Sequence, residues 1–485
     1  MQRINRENTG LKTTLPIKVI QFGEGNFLRA FVEQAFQKLN QEVDFNAGIA
    51  VVQPIETGMV AKLNEQDGLY TLFTKGIKNG REVEEKELIT NVVAAINPYT
   101  DYNNFMALAR EEDLEFVVSN TTEAGIAFVA TDTLEMTPPT SFPGKLTAFL
   151  FKRYSHFNGD REQGLTIIPC ELINYNADTL RQIIIDYIKL WKLPEDFKEW
   201  IKAACSFHNT LVDRIVPGYP KDQIAQYNSQ LDYEDQLIVS AESFFLWVIE
   251  GDDQLKKKLP FHKANLDVKI VDNMQPFRTR KVRILNGAHT AMVPFSLLYG
   301  NTTVKETMDN NFTGAFIRSL VVDEVIPTLD MEQEELLVFA AAVFDRFKNP
   351  FIVHQLSSIA LNSISKFKVR VLPSLLTYIE EGRGLPIHLV YAFACLIRFY
   401  KGSWEGEVLP VNDNKAIVNN LSVIWESESY KVIIDKVLQN REYWGEDLTE
   451  TPQLKEAIAS ALAHIEKDGI APGFSKFRKE FSTSH

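Results

Sequence analysis

The segment LPIKVIQFGEGNFLRAFVEQAFQKL, residues 15–39, constrains this chain most. Leu15 to Phe22 is apolar and largely β-branched apart from Pro16, Lys18 and Gln21, which reads as a buried strand. Phe27, Ala30, Phe31, Gln34, Ala35 and Leu39 then recur at helical spacing. Between the two, Gly23 and Gly25 stand where a backbone turns tightly and approaches a pyrophosphate, which the free N–H groups of the next helix would bind. Strand, glycine turn and helix in this order open a dinucleotide-binding α/β unit. The candidate cofactor stretch is therefore Ile20, Gln21, Phe22, Gly23, Glu24, Gly25, Asn26, Phe27, Leu28 and Arg29. Leu28 replaces the third glycine of G-x-G-x-x-G, so the motif is partial, and a turn that needs glycine only for its geometry is the alternative.

Further runs extend the same pattern. Gly48 to Val52 ends in Gln53-Pro54, where such a unit usually places an acid for the adenosine ribose. No carboxylate stands there to reject a 2′-phosphate and no arginine follows to attract one, which leaves NAD and NADP open on chemistry alone. Leu114 to Val118 stops at Ser119-Asn120-Thr121-Thr122-Glu123, a small polar segment expected to line the nicotinamide side, with Asn120 and Glu123 as candidates. Leu165 to Cys170 opens into Glu171-Leu172-Ile173-Asn174-Tyr175-Asn176 by the same logic. Strands separated by helical patterns imply a parallel, doubly wound sheet. Beyond about residue 275 the texture changes to long helical periods, as in Leu336 to Phe347, Leu385 to Phe399 and Leu454 to Ile465. The expected organisation is an α/β dinucleotide-binding domain over 1–275 and a mainly helical domain over 276–485, with the site at their junction.

At that junction, RKVRILNGAHTAMVPFSLL carries Lys281, Asn286 and His289. At α-helical pitch the three side chains fall within an arc of roughly 140°, so one face presents an ammonium, a carboxamide and an imidazole. Val282, Ile284 and Leu285 flank the lysine, and desolvation there would favour its neutral form and proton exchange nearer neutrality. Asn286 would polarise a substrate carbonyl and His289 would orient it. The alternative is an amphipathic helix with solvated polar residues. The other seven histidines, His354 and His388 included, lack a partner at ligand spacing and read as satisfied core or surface groups.

Composition narrows the class. The chain has 485 residues, 45% of them hydrophobic, enough for two cores. Its net charge of −13, without a long basic stripe, disfavours nucleic acid and anionic membranes, and any anionic ligand must meet a local cluster of cations. Cys170, Cys205 and Cys395 have neither CxxC spacing nor an even count, so no metal site and no disulfide framework is expected. With no apolar stretch of ~18 or more residues, the reading is cytoplasmic. No protein partner can be inferred.

Taken with the blocks VVQPIETG, QDGLYT, SNTTEAGI, IIPCELINYN, NTLVDRIVPGYP and RFKNPFIVHQLSSIALN, these segments resemble the long-chain mannitol dehydrogenase family, specifically its sugar-acid branch. The likeness runs from residue 19 to about residue 375. It implies a metal-independent, NAD-dependent oxidoreductase that pairs a Rossmann domain with a helical one. By the same resemblance Lys281 is general acid–base, Asn286 and His289 bind the carbonyl, and Asp213 matches an acid near the substrate. An ion pair of Asp213 with Arg214 is the alternative. The broader family often carries Cys-Asp-Asn where this chain has Cys170-Glu171-Leu172; leucine donates no hydrogen bond, so Asn176 or Asn174 substitutes, or Asn286 works alone. The implied substrate is an open-chain keto-hexuronate, whose carboxylate Lys366 and Arg370 could hold. Lys368, Arg280 and Arg283 are further cations nearby in sequence, and a solvated basic face is the alternative for most of them. A sister enzyme acting on fructuronate, mannitol or a hexitol phosphate and a non-catalytic nucleotide-binding sensor are the competing functions.

Overall fold

The computed structural model describes residues 2–12, 15–122 and 124–482. The chain forms two compact units, one of Met1–Lys75 and Glu82–Met274, the other of Gly76–Arg81 and Gln275–His485.

The first unit is built on a six-stranded parallel sheet. Its strands are β1 (Ile17–Phe22), β2 (Gly48–Val52), β3 (Val92–Ile96), β4 (Phe116–Ser119), β5 (Thr166–Pro169) and β6 (Ser206–Phe207), in the order β3-β2-β1-β4-β5-β6. β1 runs at the centre, with Ile20 beside Ala50 on β2 and beside Val117 on β4. Successive side chains of a strand point to opposite faces, and here both faces are covered. Val19, Ile49 and Val51 enter one core with Phe31 and Phe36, while Ile20, Phe22, Ala50 and Val52 enter the other with Phe105, Phe149 and Tyr187. Double-sided burial explains why these strands read as near-continuous apolar runs. β3 and β6, which no run in the sequence announced, complete the sheet at its two edges.

The helix expected after the glycine turn is two helices. Asn26–Arg29 forms one turn (α1), Ala30 and Phe31 interrupt it, and α2 follows as Val32–Val43. Hydrophobic spacing runs through the break because both pieces pack on one face of the sheet, Leu28 and Phe31 joining Phe36 and Leu39 in a single core.

The second unit is helical. α3 (Gly287–Tyr299), α4 (Gln333–Phe347), α5 (Ser363–Arg370), α6 (Ile387–Phe399), α7 (Leu454–Asp468) and α8 (Ile470–Ser482) are its main elements. Every residue of α6 from Leu389 to Phe399 is buried, as expected of a helix enclosed on all sides, and α3 and α7 pack against it. Glu324 accepts hydrogen bonds from the His388 and Leu389 backbone N–H groups, both at 2.8 Å, and pairs with His388 Nδ1 at 2.7 Å, so His388 is a partnered structural histidine at the start of α6. Among the described residues no helix is long and apolar enough to cross a membrane.

Candidate active site

The glycine turn has the geometry of a ligand cradle. Gly23 adopts φ +120°, and a Cβ there would lie 2.9 Å from the Asn120 carbonyl oxygen, so only glycine fits. Gly25 differs: its backbone is extended, at φ −66° and ψ 164°, and an added Cβ would meet nothing within 4 Å. The space in front of Gly25 is open to a ligand that must approach the backbone, which fits a pyrophosphate. Glu24, buried and with its carboxyl pushed up by desolvation, accepts from Met59 N at 3.3 Å and so ties the turn to the loop after β2. The Gln21 carboxamide braces the turn from below, donating to Gly23 O at 2.9 Å and to Glu33 at 2.7 Å. Ile20, Phe22 and Leu28 are core side chains, and Phe27 stacks on Phe31.

Arg29 corrects the sequence reading of that stretch. It is 1% exposed, and its guanidinium donates to Leu237 O and Asn26 Oδ1, both at 2.6 Å. The helical phase that sets Leu28 in the core carries Arg29 inward as well, so it supports the turn and has no free face for a ligand.

A cavity of about 570 Å³ opens at the carboxyl ends of β2 and β3, lined by Gln53, Glu56, Asn97, Thr100 and Asp101 among others. Gln53 spends its amide on the carbonyls of Ile55 and Glu56, each at 2.9 Å, which shapes the loop around this cavity. On the other half of the sheet, Asn120 follows β4 and donates to Cys170 O at 2.8 Å. Glu123 lies outside the described residues.

Asn176 is a second correction. It is 1% exposed, its amide donates to Pro169 O, Glu171 O and Thr210 Oγ1, and its Oδ1 accepts from Ala177 N and Thr210 N. Every polar atom of the side chain is committed to holding the segment after β5, leaving no donor for a substrate. Asn174, two residues earlier, is exposed. Asp213 ends the strand Thr210–Asp213 and is 6% exposed. Arg214 beside it turns its guanidinium to Ala30 O, Gln34, Glu242 O and Thr74.

In the second unit, Lys281–Asn286 is a π-helical segment that follows the helix Gln275–Arg280 and leads into α3. Hydrogen bonds in a π-helix reach five residues back, so the Lys281 and Asn286 positions come nearer to one face than the α-helical ~140° allows. π-segments are rare and concentrate at functional sites. Lys281 and Asn286 are half-buried. His289 lies one turn on, its ring tilted against that of Phe347 of α4 at 4.3 Å and edge-on to His354 at 5.1 Å. Burial holds its imidazole well below the usual histidine range, and the nearby His354, Arg346 and Arg370 reinforce this. It is therefore neutral at physiological pH, with Nε2 buried and without a hydrogen-bond partner among the described residues.

The predicted cations separate on inspection. Arg370 sits at the end of α5 and reaches Thr290 Oγ1 of α3 at 3.5 Å, and the same hydroxyl donates to Asn286 O at 2.8 Å. A Cβ on Gly287 would lie 3.0 Å from Arg370 O, so α3 and α5 touch at backbone distance. Lys366 donates to Ile359 O at 2.9 Å, and its ammonium is pressed down by burial and then by Arg370. Arg283 donates to the Val369 carbonyl. Arg280 is 3% exposed, pairs with Glu335 at 2.9 Å and lies over the Phe277 and Phe339 rings. Arg370 thus remains beside the lysine helix, joined by Arg346 and His354, which sequence reasoning missed. Only the block RFKNPFIVH, already conspicuous, contained a signal for them.

Among the described residues no group of three His, Cys, Asp or Glu side chains could hold a metal ion. All three cysteines are buried and free.

A doubly wound sheet with a glycine cradle, followed in the same chain by a helical unit bearing lysine, asparagine and histidine on one helix, defines an oxidoreductase of alcohols and ketones. Residues 17–263 match the mannitol dehydrogenase Rossmann domain and residues 273–466 the mannitol dehydrogenase C-terminal domain. The chain belongs to the mannitol dehydrogenase family. It is 47% identical over 479 residues to the altronate oxidoreductase of Bacillus subtilis (strain 168), covering 98% of both chains. The altronate oxidoreductase of Yersinia enterocolitica is 44% identical over 476 residues, 97% of this chain and 98% of its own. In fold it resembles a substrate-free D-sorbitol dehydrogenase, with a TM-score of 0.79 at 20% identity over 98% of this chain and 100% of that one.

Proposed function

We propose that this protein interconverts D-tagaturonate and D-altronate with NAD(H), in hexuronate breakdown in the cytoplasm. The observation that carries this reading is the 47% identity to an altronate oxidoreductase across 98% of both chains. The glycine cradle and the cavity beside β2 support the dinucleotide, and three buried free thiols fit a reducing compartment.

Gly23, Glu24, Gly25, Asn26 and Asn120 would hold the cofactor through the backbone of the turn and the edge of β4. When bound, NADH supplies a hydride and NAD⁺ accepts one. The protein supplies the proton: Lys281 Nζ gives it to the carbonyl oxygen as the carbon receives hydride, leaving the secondary alcohol and a neutral amine that solvent reprotonates. In the oxidative direction the amine takes the hydroxyl proton. Asn286 donates a hydrogen bond to the oxygen as charge develops there. Neutral His289 presents Nε2 to the same oxygen or its neighbouring hydroxyl, and Arg370 with Arg346 supplies positive charge for the carboxylate. Asp213 and Asn174 are further candidates for the sugar hydroxyls, by family likeness.

The test is a panel of tagaturonate, fructuronate, fructose, mannitol and hexitol phosphates with NADH, NADPH and their oxidised forms. Tagaturonate with NADH is expected to give the highest kcat/KM. Preference for fructuronate or for an uncharged polyol would replace this reading with that of a sister enzyme.

A further inference from the structure

Glu171, in the place where the strand β5 ends, has no part in the chemistry above, yet it is 2% exposed and accepts three hydrogen bonds. Ser119 Oγ donates to Oε2 at 3.0 Å, and Thr121 donates to Oε1 from both its N–H and its hydroxyl, each at 3.0 Å. All three are donors, which favours an ionised carboxylate, against burial, which pushes the carboxyl up. None is a cation, and among the described residues no lysine, arginine or histidine forms an ion pair with Glu171. A buried charge stabilised by dipoles alone is costly to maintain and asks for a use.

Its place in the sheet suggests one. The order β3-β2-β1-β4-β5-β6 divides at β1 and β4 into two mononucleotide-binding halves. The glycine turn and the cavity at β2 and β3 belong to the adenosine half. Ser119, Thr121 and Glu171 lie at the carboxyl ends of β4 and β5, on the nicotinamide half. The neighbouring backbone is strained in the manner of ligand sites: Thr122, a β-branched residue, adopts φ +81° directly after the residue that Glu171 holds. Leu172 beside it is 63% exposed and brings no compensating charge.

We infer that Glu171 selects the oxidation state of the cofactor, its carboxylate favouring the cationic nicotinamide ring of NAD⁺ over the neutral ring of NADH. Coulomb attraction in a partly dry site acts on the first and not on the second. Hydride donation creates that same positive charge, so the carboxylate also promotes reduction of the carbonyl. This inference rests on the NAD reading above.

The experiment measures dissociation constants of the whole protein for both cofactor forms, NADH by fluorescence titration and NAD⁺ by calorimetry. In Glu171→Gln the ratio Kd(NAD⁺)/Kd(NADH) is expected to rise roughly tenfold, equivalent to about 1.4 kcal/mol. Glu171→Asp keeps the charge and should hold the ratio within about threefold of the wild type. A purely structural role would weaken both forms by one factor, and an unchanged ratio in Glu171→Gln overturns the inference. Should that variant not fold, Leu172→Lys at the exposed neighbour must raise the ratio by about threefold or more, and failure to do so is equally decisive. Wild-type protein that binds neither dinucleotide would instead remove the NAD reading itself.

Discussion

The imidazoles of His289 and His354 meet edge to face, their ring centroids 5.1 Å apart, although 64 residues of sequence lie between them. Burial comes first among the causes that hold both rings below the ordinary histidine range, and for His289 the charges of His354, Arg346 and Arg370 add to it. The unfolded chain takes up a proton on each near pH 6.5, whereas the native protein does not until lower pH. Stability from these groups is complete above about pH 6.5 and is lost as pH falls from there toward the native values, by on the order of 1 kcal/mol per pH unit for each group. Urea unfolding at pH 7.5 and 5.5 should show a smaller acid loss for His289→Asn than for the wild type. An equal loss in both would mean that His289 is protonated in the native state.

Replacement of Lys281 by alanine is expected to lower single-turnover hydride transfer by about 10²–10⁴-fold, the usual contribution of a general acid–base group. NADH affinity, which belongs to the glycine turn, should stay within about twofold. Retention of the wild-type rate within severalfold would remove Lys281 from the chemistry.

The two glycines of the turn should fail differently. Gly25→Val places its side chain in open space at a compatible φ, so the protein should fold with its stability nearly unchanged and bind NADH at least about tenfold more weakly. Gly23→Val meets the Asn120 carbonyl at positive φ and should lower the melting temperature. Wild-type cofactor affinity in a folded Gly25→Val protein would place the pyrophosphate elsewhere.

Much of this was legible in sequence because it is local. The strand, the turn and the lysine helix each declare themselves within two dozen residues, through burial on both faces of a sheet or through polar residues set in an apolar run. Arg346 and His354 were not legible, since their approach to His289 depends on how α4 and the loop after it pack against α3. Asn176 and Arg29 were misread for a different reason: a polar residue at a strand end or in a first helical turn looks the same in sequence whether it faces solvent or braces the backbone beneath. The break at Ala30–Phe31 was invisible because both halves bury the same side.

Arg370→Met should raise the KM for tagaturonate by about tenfold or more while changing kcat little, and should narrow the preference over fructose. Steady-state kinetics on both ketoses read this directly. If KM is unchanged, the carboxylate is held by other cations.

The π-helical segment makes the length of the chain between Lys281 and His289 a functional quantity in its own right. Its five-residue hydrogen-bonded reach accommodates one residue more than an α-turn would, and that surplus sets the phase between the lysine and the histidine. Straightening these six residues to ordinary pitch without removing one would part Lys281 from Asn286 by roughly 140°, whereas deleting one residue among Val282–Leu285 as it straightens leaves four steps of ~100°, about 40° apart, and keeps the pair on one face. The spacing K-x4-N-x2-H is matched to the π-turn: the extra residue and the wider pitch offset each other, and either one without the other would part the lysine from its partners.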